Sequence, residues 1–292
     1  MTVTEAEIAA QPDCWRRAVA LLPDVAGLLP SQGERVAVVG CGTSWFIAQS
    51  YAAAREAAGH GETDAFAASE MPLGRRYDRV VALTRSGTTT EILRLLASVP
   101  SPTVVITADP DAPVAAVAGS VIALDFADER SVVQTRFATT ELALLLAHLG
   151  ADLESSAAEA ERVLAGSVPA ALTSGKQFTF LGTGWTCGLA AEAALKLREA
   201  AGMWTEAYPA MEFRHGPIAV TGPGSVVWML GSVPDGIADQ VEAAGGLAWW
   251  SDRPPLAEVV LVQLVAVALA KAAGLNPDRP RNLTRSVILE PS

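Results

Sequence analysis

Five hydroxyls crowd into seven residues at Thr84-Arg85-Ser86-Gly87-Thr88-Thr89-Thr90. The run follows an apolar stretch, RVVALT (79–84), and opens a predicted helix. Gly87 lets the backbone approach a ligand, the hydroxyls donate hydrogen bonds, and a helix N-terminus favours negative charge. This is chemistry suited to a phosphate monoester. Helix capping uses the same residue types, but a cap needs one hydroxyl rather than five. A second loop of similar character is Gly40-Cys41-Gly42-Thr43-Ser44. It is neither a dinucleotide fingerprint nor a Walker loop. The pattern alone leaves it open between a binding loop and a tight turn, with Cys41 read as a small buried residue rather than a nucleophile.

Acid–base groups gather elsewhere. From Phe178 to Pro217 the chain runs from an apolar strand through Gly182 and Gly184 into a predicted helix with Glu192, Lys196 and Glu199, then reaches His215-Gly216-Pro217. Their i, i+4, i+7 spacing puts the three charged residues on one helix face. A Glu–Lys pair at i, i+4 is commonly a surface salt bridge worth about 0.3–0.5 kcal/mol. A carboxylate beside a histidine in a cleft instead moves protons between carbon atoms. Spacing by itself favours the salt bridge, and a lone histidine is more often structural. The corresponding loop of the second half, GSVPDG (231–236), has lost the hydroxyls. A phosphate site is therefore expected in the first half only.

The elements needed to position these groups are βα units. Runs at 35–39, 79–84, 103–107 and 121–124 read as strands buried on both faces. Residues 62–70 add a short extended segment, and helices are expected after Ser44, over 90–98 and over 137–149. An acidic, Ala-rich helix from 151 links to a second series: strands at 178–182, 225–230 and 247–250, and helices at 188–201, 235–245 and 256–273. Residues 5–29 read as helix broken at Pro12 and Pro23, and 280–290 as an extended, largely apolar tail. VVGCGTSWFIAQSYAAAREAAG (38–59) parallels FLGTGWTCGLAAEAALKLREAAG (180–202); chance likeness of two Ala-rich helices is the alternative, but the shared strand–Gly-x-Gly–helix order favours duplication of an α/β unit.

The 292 residues are half apolar, enough for a sizeable core. A net charge of −11 argues against nucleic acid or an anionic membrane as main partner. Cys14, Cys41 and Cys187 lack metal-ligand spacing and fit a reducing cytoplasm. No signal peptide is expected from MTVTEAEIAAQPD. The apolar stretches near 141–149 and 259–270 read as too short or too interrupted to span a bilayer.

These motifs, in order, resemble those of sugar isomerase (SIS) domain proteins: EIAAQP (7–12), CGTS (41–44), ASE (68–70), TRSGTTTE (84–91), ALKLREA (194–200), EAY (206–208), RHGP (214–217) and PRNLTRSV (280–287). The chain is similar to the isomerase half of glucosamine-6-phosphate synthase and to amino-sugar-phosphate deaminase/isomerases. The resemblance implies an α/β fold of two tandem SIS domains, each a doubly wound, flavodoxin-like parallel sheet flanked by helices. The expected division is a helical segment at 1–30, a phosphate-binding domain at 31–150 and a second domain at 151–292.

The resemblance also implies roles. Ser44, Thr84, Arg85 through its backbone, Ser86 and Thr89 would hold a phosphate, with Cys41 and Thr43 in the neighbouring loop. Gln134, in ERSVVQTRF (129–137), would lie near the sugar. Glu199 would be the proton-transfer base between the first two sugar carbons, with Glu192 and Lys196 lining the same site. His215 would assist ring opening, lent by the second subunit of a homodimer. The substrate would be a phosphorylated sugar or amino sugar, with no metal or nucleotide cofactor. A non-catalytic sugar-phosphate sensor is the alternative.

Two departures stand out. Arg285 replaces the family's usual Lys, so imine chemistry is not expected there, although a guanidinium still orients a hydroxyl or polarises a carbonyl. TRSG replaces the synthase's SQSG, which points to the deaminase/isomerase branch. The resemblance to the synthase covers its isomerase half alone, so drawing ammonia from glutamine is not an expected activity of these residues.

Overall fold

In the computed structural model, which describes residues 1–289, nine strands form two all-parallel sheets. In chain order the elements are α1 (Val3–Ala9), α2 (Gln11–Val25), β1 (Val36–Gly40), α3 (Thr43–Ala57), β2 (Thr63–Ala67), β3 (Arg79–Leu83), α4 (Thr90–Leu96), β4 (Thr103–Thr107), β5 (Ser120–Ala123) and α5 (Arg136–His148). There follow α6 (Glu154–Ala165), α7 (Ala170–Thr173), β6 (Gln177–Gly182), α8 (Thr186–Ala201), β7 (Thr205–Pro209), β8 (Ser225–Leu230), α9 (Ile237–Ala243), β9 (Leu247–Trp249) and α10 (Pro255–Ala272).

Two compact units result. One comprises Asp13–Arg130, Gln134–Leu153 and the described residues 284–289; the other comprises Met1–Pro12, Ser131–Val133 and Glu154–Leu283. The N-terminal α1 belongs with the second sheet because Asp278 accepts hydrogen bonds from Val3 N (3.1 Å), Thr4 N (2.8 Å) and Thr4 Oγ1 (2.6 Å).

In the five-stranded unit the order is β2-β1-β3-β4-β5. Ala37, Val39, Val80, Ala82 and Val105 pack on one face with Ile92, Leu95 and Leu96 of α4. Val36, Val38, Val81, Leu83, Val104 and Ile106 are also fully buried. Burial of both faces is why these strands read as unbroken apolar runs.

In the four-stranded unit the order β7-β6-β8-β9 repeats that of β2-β1-β3-β4. Leu181, Val227 and Met229 pack with Ile237 and Val241 of α9. Phe180 and Trp228 stack at 5.7 Å, and Trp228 meets Trp249 edge-on at 6.1 Å. Both indoles donate to Glu258 of α10 (2.9 and 3.2 Å), whose carboxylate also takes Ser251 Oγ (2.6 Å) and Arg253 Nη1 (3.0 Å). A carboxylate with four donors is tolerated in this core.

The two copies share fine details. Gly40 and Gly182 end the first strands, where a Cβ would fall 2.4 Å from the Ser44 carbonyl carbon and 2.3 Å from the Thr186 carbonyl oxygen. Gly42 and Gly184 follow with φ of +56° and +57°, the left-handed region glycine adopts without steric cost. Arg55 of α3 donates to Thr63 Oγ1 (2.8 Å) at the head of β2, and Arg198 of α8 donates to Thr205 Oγ1 (3.1 Å) at the head of β7. These are the arginines of the repeated REAAG.

Some expectations need correction. Pro23 lies inside α2 rather than ending it, and the break falls at Ala10, before Gln11. Strand β7 was not anticipated, because TEAYP is half-exposed and lacks the apolar signature of its neighbours. The tail, expected to be extended, forms turns and bends with no strand among its described residues. Helix α10 is, by length and composition, apolar enough to cross a membrane, contrary to the expectation for 259–270, but 67% of it is buried in the four-stranded unit's core.

At the foot of the five-stranded unit, burial lowers the pKa of His148, and His60 and Arg55 lower it further. The unfolded chain therefore binds the extra proton first as pH falls, so this stabilisation is present above the ordinary histidine pKa near 6.5 and is lost as pH falls through the lower folded value. Denaturant midpoints measured between neutral and mildly acidic pH are expected to fall less in His148→Gln than in the parent.

Candidate functional site

The order β2-β1-β3-β4-β5 reverses direction between β1 and β3, and open α/β sheets bind ligands in the crevice at the carboxyl ends of such a pair. The loops leaving β1 and β3 form a recess of about 30 Å³ there, with Cys41, Ser44, Thr84, Arg85, Ser86 and Thr89 on its walls. Gln134 and Arg285 complete it, brought from distant parts of the chain. A wider open groove of about 860 Å³ lies where strands begin, against Arg35, Arg75, Arg76 and Tyr77. It gathers none of the candidate residues, and Arg35 and Arg75 are paired with Glu62 (3.1 Å) and Asp64 (3.5 Å). Position at the switch point outweighs volume, so the small recess is the candidate site.

Its hydroxyls are not spent on capping. Thr89, at the N-cap of α4, makes no side-chain capping bond. Gln134 presents a buried Oε1 with no hydrogen-bond partner among the described residues. Burial pushes the Cys41 thiol up to about 11, with Glu91 adding to the rise, so it stays protonated and is a poor nucleophile. Thr43 is buried at the first position of α3 and does not line the recess.

Arg85 lines the recess, and its side chain has a separate structural commitment. Its side chain is 2% exposed, faces the buried Glu129 carboxylate at 3.8 Å, and donates from Nη2 to the Arg285 carbonyl at 2.9 Å. Glu129 also accepts from Thr135 N (2.6 Å), Thr135 Oγ1 (2.6 Å) and Arg136 N (2.7 Å), which fixes the start of α5. The Arg285 guanidinium donates to the Glu129 carbonyl and the Asp128 carboxylate. Glu129 and Asp128 were missed from the sequence. The visible signal was two acidic residues just ahead of the QTRF segment, with nothing to connect them to Arg85 or Arg285.

In the four-stranded unit, Lys196 on α8 is fully buried between Glu192 (3.2 Å) and Glu199 (2.6 Å). Burial by itself pulls the Lys196 pKa down, but the two carboxylates more than reverse this and hold it above the usual lysine value. The amine therefore remains an ammonium and is no imine-forming nucleophile. Glu199 is the accessible member, with its side chain 19% exposed, and lines a groove of about 510 Å³ with Arg198, Asn276, Arg279, Arg281 and Asn282. His215 is the exposed last residue of a 3-10 turn (Glu212–His215) and lines neither opening. Among the described residues, no group of three or more His, Cys, Asp or Glu is arranged for a metal.

No family model matches the chain. In sequence it is similar to glutamine–fructose-6-phosphate aminotransferase [isomerizing] of Sulfolobus acidocaldarius, 28% identical over 92% of this chain and 52% of that protein. It thus spans about half the length of the curated relatives it matches. In structure it is similar to a glucosamine-6-phosphate deaminase of Thermotoga maritima, with a TM-score of 0.81 and 24% identity over 99% of this chain and 100% of that one. It is likewise similar to a tagatose-6-phosphate ketose/aldose isomerase of Escherichia coli, with a TM-score of 0.79 and 20% identity over 99% and 97% of the two chains.

Two outcomes follow. Cys41 is expected to alkylate at least about a hundred-fold more slowly than a free thiol at mildly alkaline pH, read by mass spectrometry. Lys196→Met is expected to cost about 3–5 kcal/mol in denaturant unfolding at neutral pH, because two carboxylates then share a buried face, with a smaller loss in acid as they protonate.

Proposed function

We propose that the chain is a tandem SIS-domain enzyme that moves a proton between C1 and C2 of a sugar 6-phosphate, as an isomerase or as an amino-sugar-phosphate deaminase/isomerase. The observation that carries this is the hydroxyl-lined recess at the switch point of the five-stranded sheet. Ser44, Thr84, Ser86 and Thr89 would donate to the phosphate, and Gln134 would supply its unpartnered carbonyl oxygen to a sugar hydroxyl. The recess has room for one or two waters, so a phosphoryl group enters as the half-exposed Arg285 side chain at its rim moves aside.

Glu199 would take the proton from one carbon and return it to the next through an enediol or enamine, its charge steadied by Lys196. His215, exposed and outside both openings, would act on ring opening in a partner subunit, which makes the working form a homodimer. The division into two domains and a cytoplasmic location belong to the same reading. The commitment of Arg285 to Asp128 and Glu129 favours one second reading, a sensor that binds sugar phosphates without turning them over.

A panel of sugar and amino-sugar 6-phosphates, followed by ammonia release and by aldose–ketose conversion, tests this. Glu199→Gln is expected to lower turnover by about 10²–10⁴-fold while leaving phosphate affinity unchanged. Binding without turnover by the parent protein would establish the sensor instead.

A further inference from the structure

The hydroxyls that line the recess are not ordered by their own loop alone. Ser286 Oγ lies 3.2 Å from Ser86 Oγ, 2.9 Å from Thr88 Oγ1 and 3.4 Å from Thr89 Oγ1. Of these four, Ser86 and Thr89 line the recess, whereas Thr88 and Ser286 do not. The tail brings Ser286 there through backbone contacts on either side. Val287 O accepts from Thr90 N at 3.2 Å, and Leu289 N donates to Thr90 Oγ1 at 2.9 Å. Just before it, Arg285 O accepts from Arg85 Nη2 at 2.9 Å.

We propose that Ser286 is a positioning residue of the anion site, whose hydroxyl sets the proton direction of Thr88 and Ser86 so that Ser86 presents its O–H group to a bound oxyanion. The inference rests on the reading of this loop as the phosphate site. Its basis is a proton count. Each hydroxyl carries one proton and two lone pairs, and a phosphate oxygen only accepts. Ser86 gives its proton to the ligand more strongly when its lone pairs accept from others. Thr88 N (3.3 Å) and Thr88 Oγ1 (3.1 Å) lie ready to donate to it.

Thr88 then has no proton left for Ser286, and its lone pairs are open to the Ser286 proton. Ser286 supplies it across 2.9 Å. The chain Ser286 → Thr88 → Ser86 → anion uses every proton once, and each bond polarises the next. The oxygen spacings also allow Ser86 and Thr88 to donate to Ser286, whereas the Thr88-to-Ser86 bond already runs in the proposed sense. The change between the two requires only that hydroxyl protons rotate.

The test is titration calorimetry with inorganic phosphate on the full chain, with Ser86→Ala, Ser286→Ala and Ser286→Thr beside the parent. Ser286→Ala is expected to weaken phosphate binding about five- to ten-fold, to raise KM for a sugar phosphate without lowering kcat, and to leave the thermal midpoint in place. Ser286→Thr keeps the hydroxyl and is expected to bind within about two-fold of the parent. Loss of binding in Ser86→Ala but not in Ser286→Ala overturns the role of Ser286 and leaves the loop as the phosphate site. Equal weakening and a lowered midpoint in both Ser286 variants also overturns it, because the role is then structural. If Ser86→Ala binds like the parent, or the parent binds no phosphate at millimolar concentrations, the phosphate reading of the loop falls first and takes Ser286 with it.

Discussion

In the five-stranded unit everything converges on the ion pair between Arg85 and Glu129, 2% and 0% exposed and 3.8 Å apart. A guanidinium buried one residue into a loop needs a counter-charge and satisfied donors, because an uncompensated charge there costs several kcal/mol. Glu129 supplies the charge and, through three short bonds, also fixes the first turn of α5. Arg85 in turn holds the carbonyl of Arg285, and Arg285 closes the ring on Glu129 and Asp128. Loop, helix and tail thus share one electrostatic anchor. Arg85 and Arg285, 200 residues apart in the chain, touch each other here.

The two units keep one plan and spend it differently. Strand-ending glycines, left-handed Gly42 and Gly184, and the arginines that tie helix to next strand recur because they are demands of backbone packing. The hydroxyls are not such a demand. Ser44 opens onto the recess, whereas its counterpart Thr186 donates to Leu230 O at 2.7 Å and accepts from Thr183 N at 2.8 Å. A hydroxyl committed to its own backbone has little left for a ligand. The four-stranded unit instead concentrates charge on α8, where a buried ammonium steadies two carboxylates.

Legibility from sequence followed locality. Strands β4 and β8 matched their apolar runs because both faces are buried. Strand β7 was hidden because one edge of it is wet and its residues are polar. Pro23 was read as a break, yet it sits in the last turn of α2, near where a helix would end in any case. Helix α10 lacks amphipathic spacing because it is buried nearly all round, so its sequence reads like a membrane span while its surroundings are protein.

The candidate site divides along the same line. Sequence alone determined the hydroxyl-rich loop after a buried strand, the shared helix face of Glu192, Lys196 and Glu199, and the recurring strand–glycine–helix pattern, since each depends on spacing within one element or on comparing two stretches of chain. Tertiary structure alone decided which hydroxyls face the recess, that Lys196 is sealed between its carboxylates, that Arg85 spends its side chain on Glu129, and that Ser286 meets Ser86 from 200 residues away. The physical reason is that a helix or loop pattern is a property of neighbours along the chain. The partner of a buried charge or hydroxyl is chosen only when distant segments close on one another.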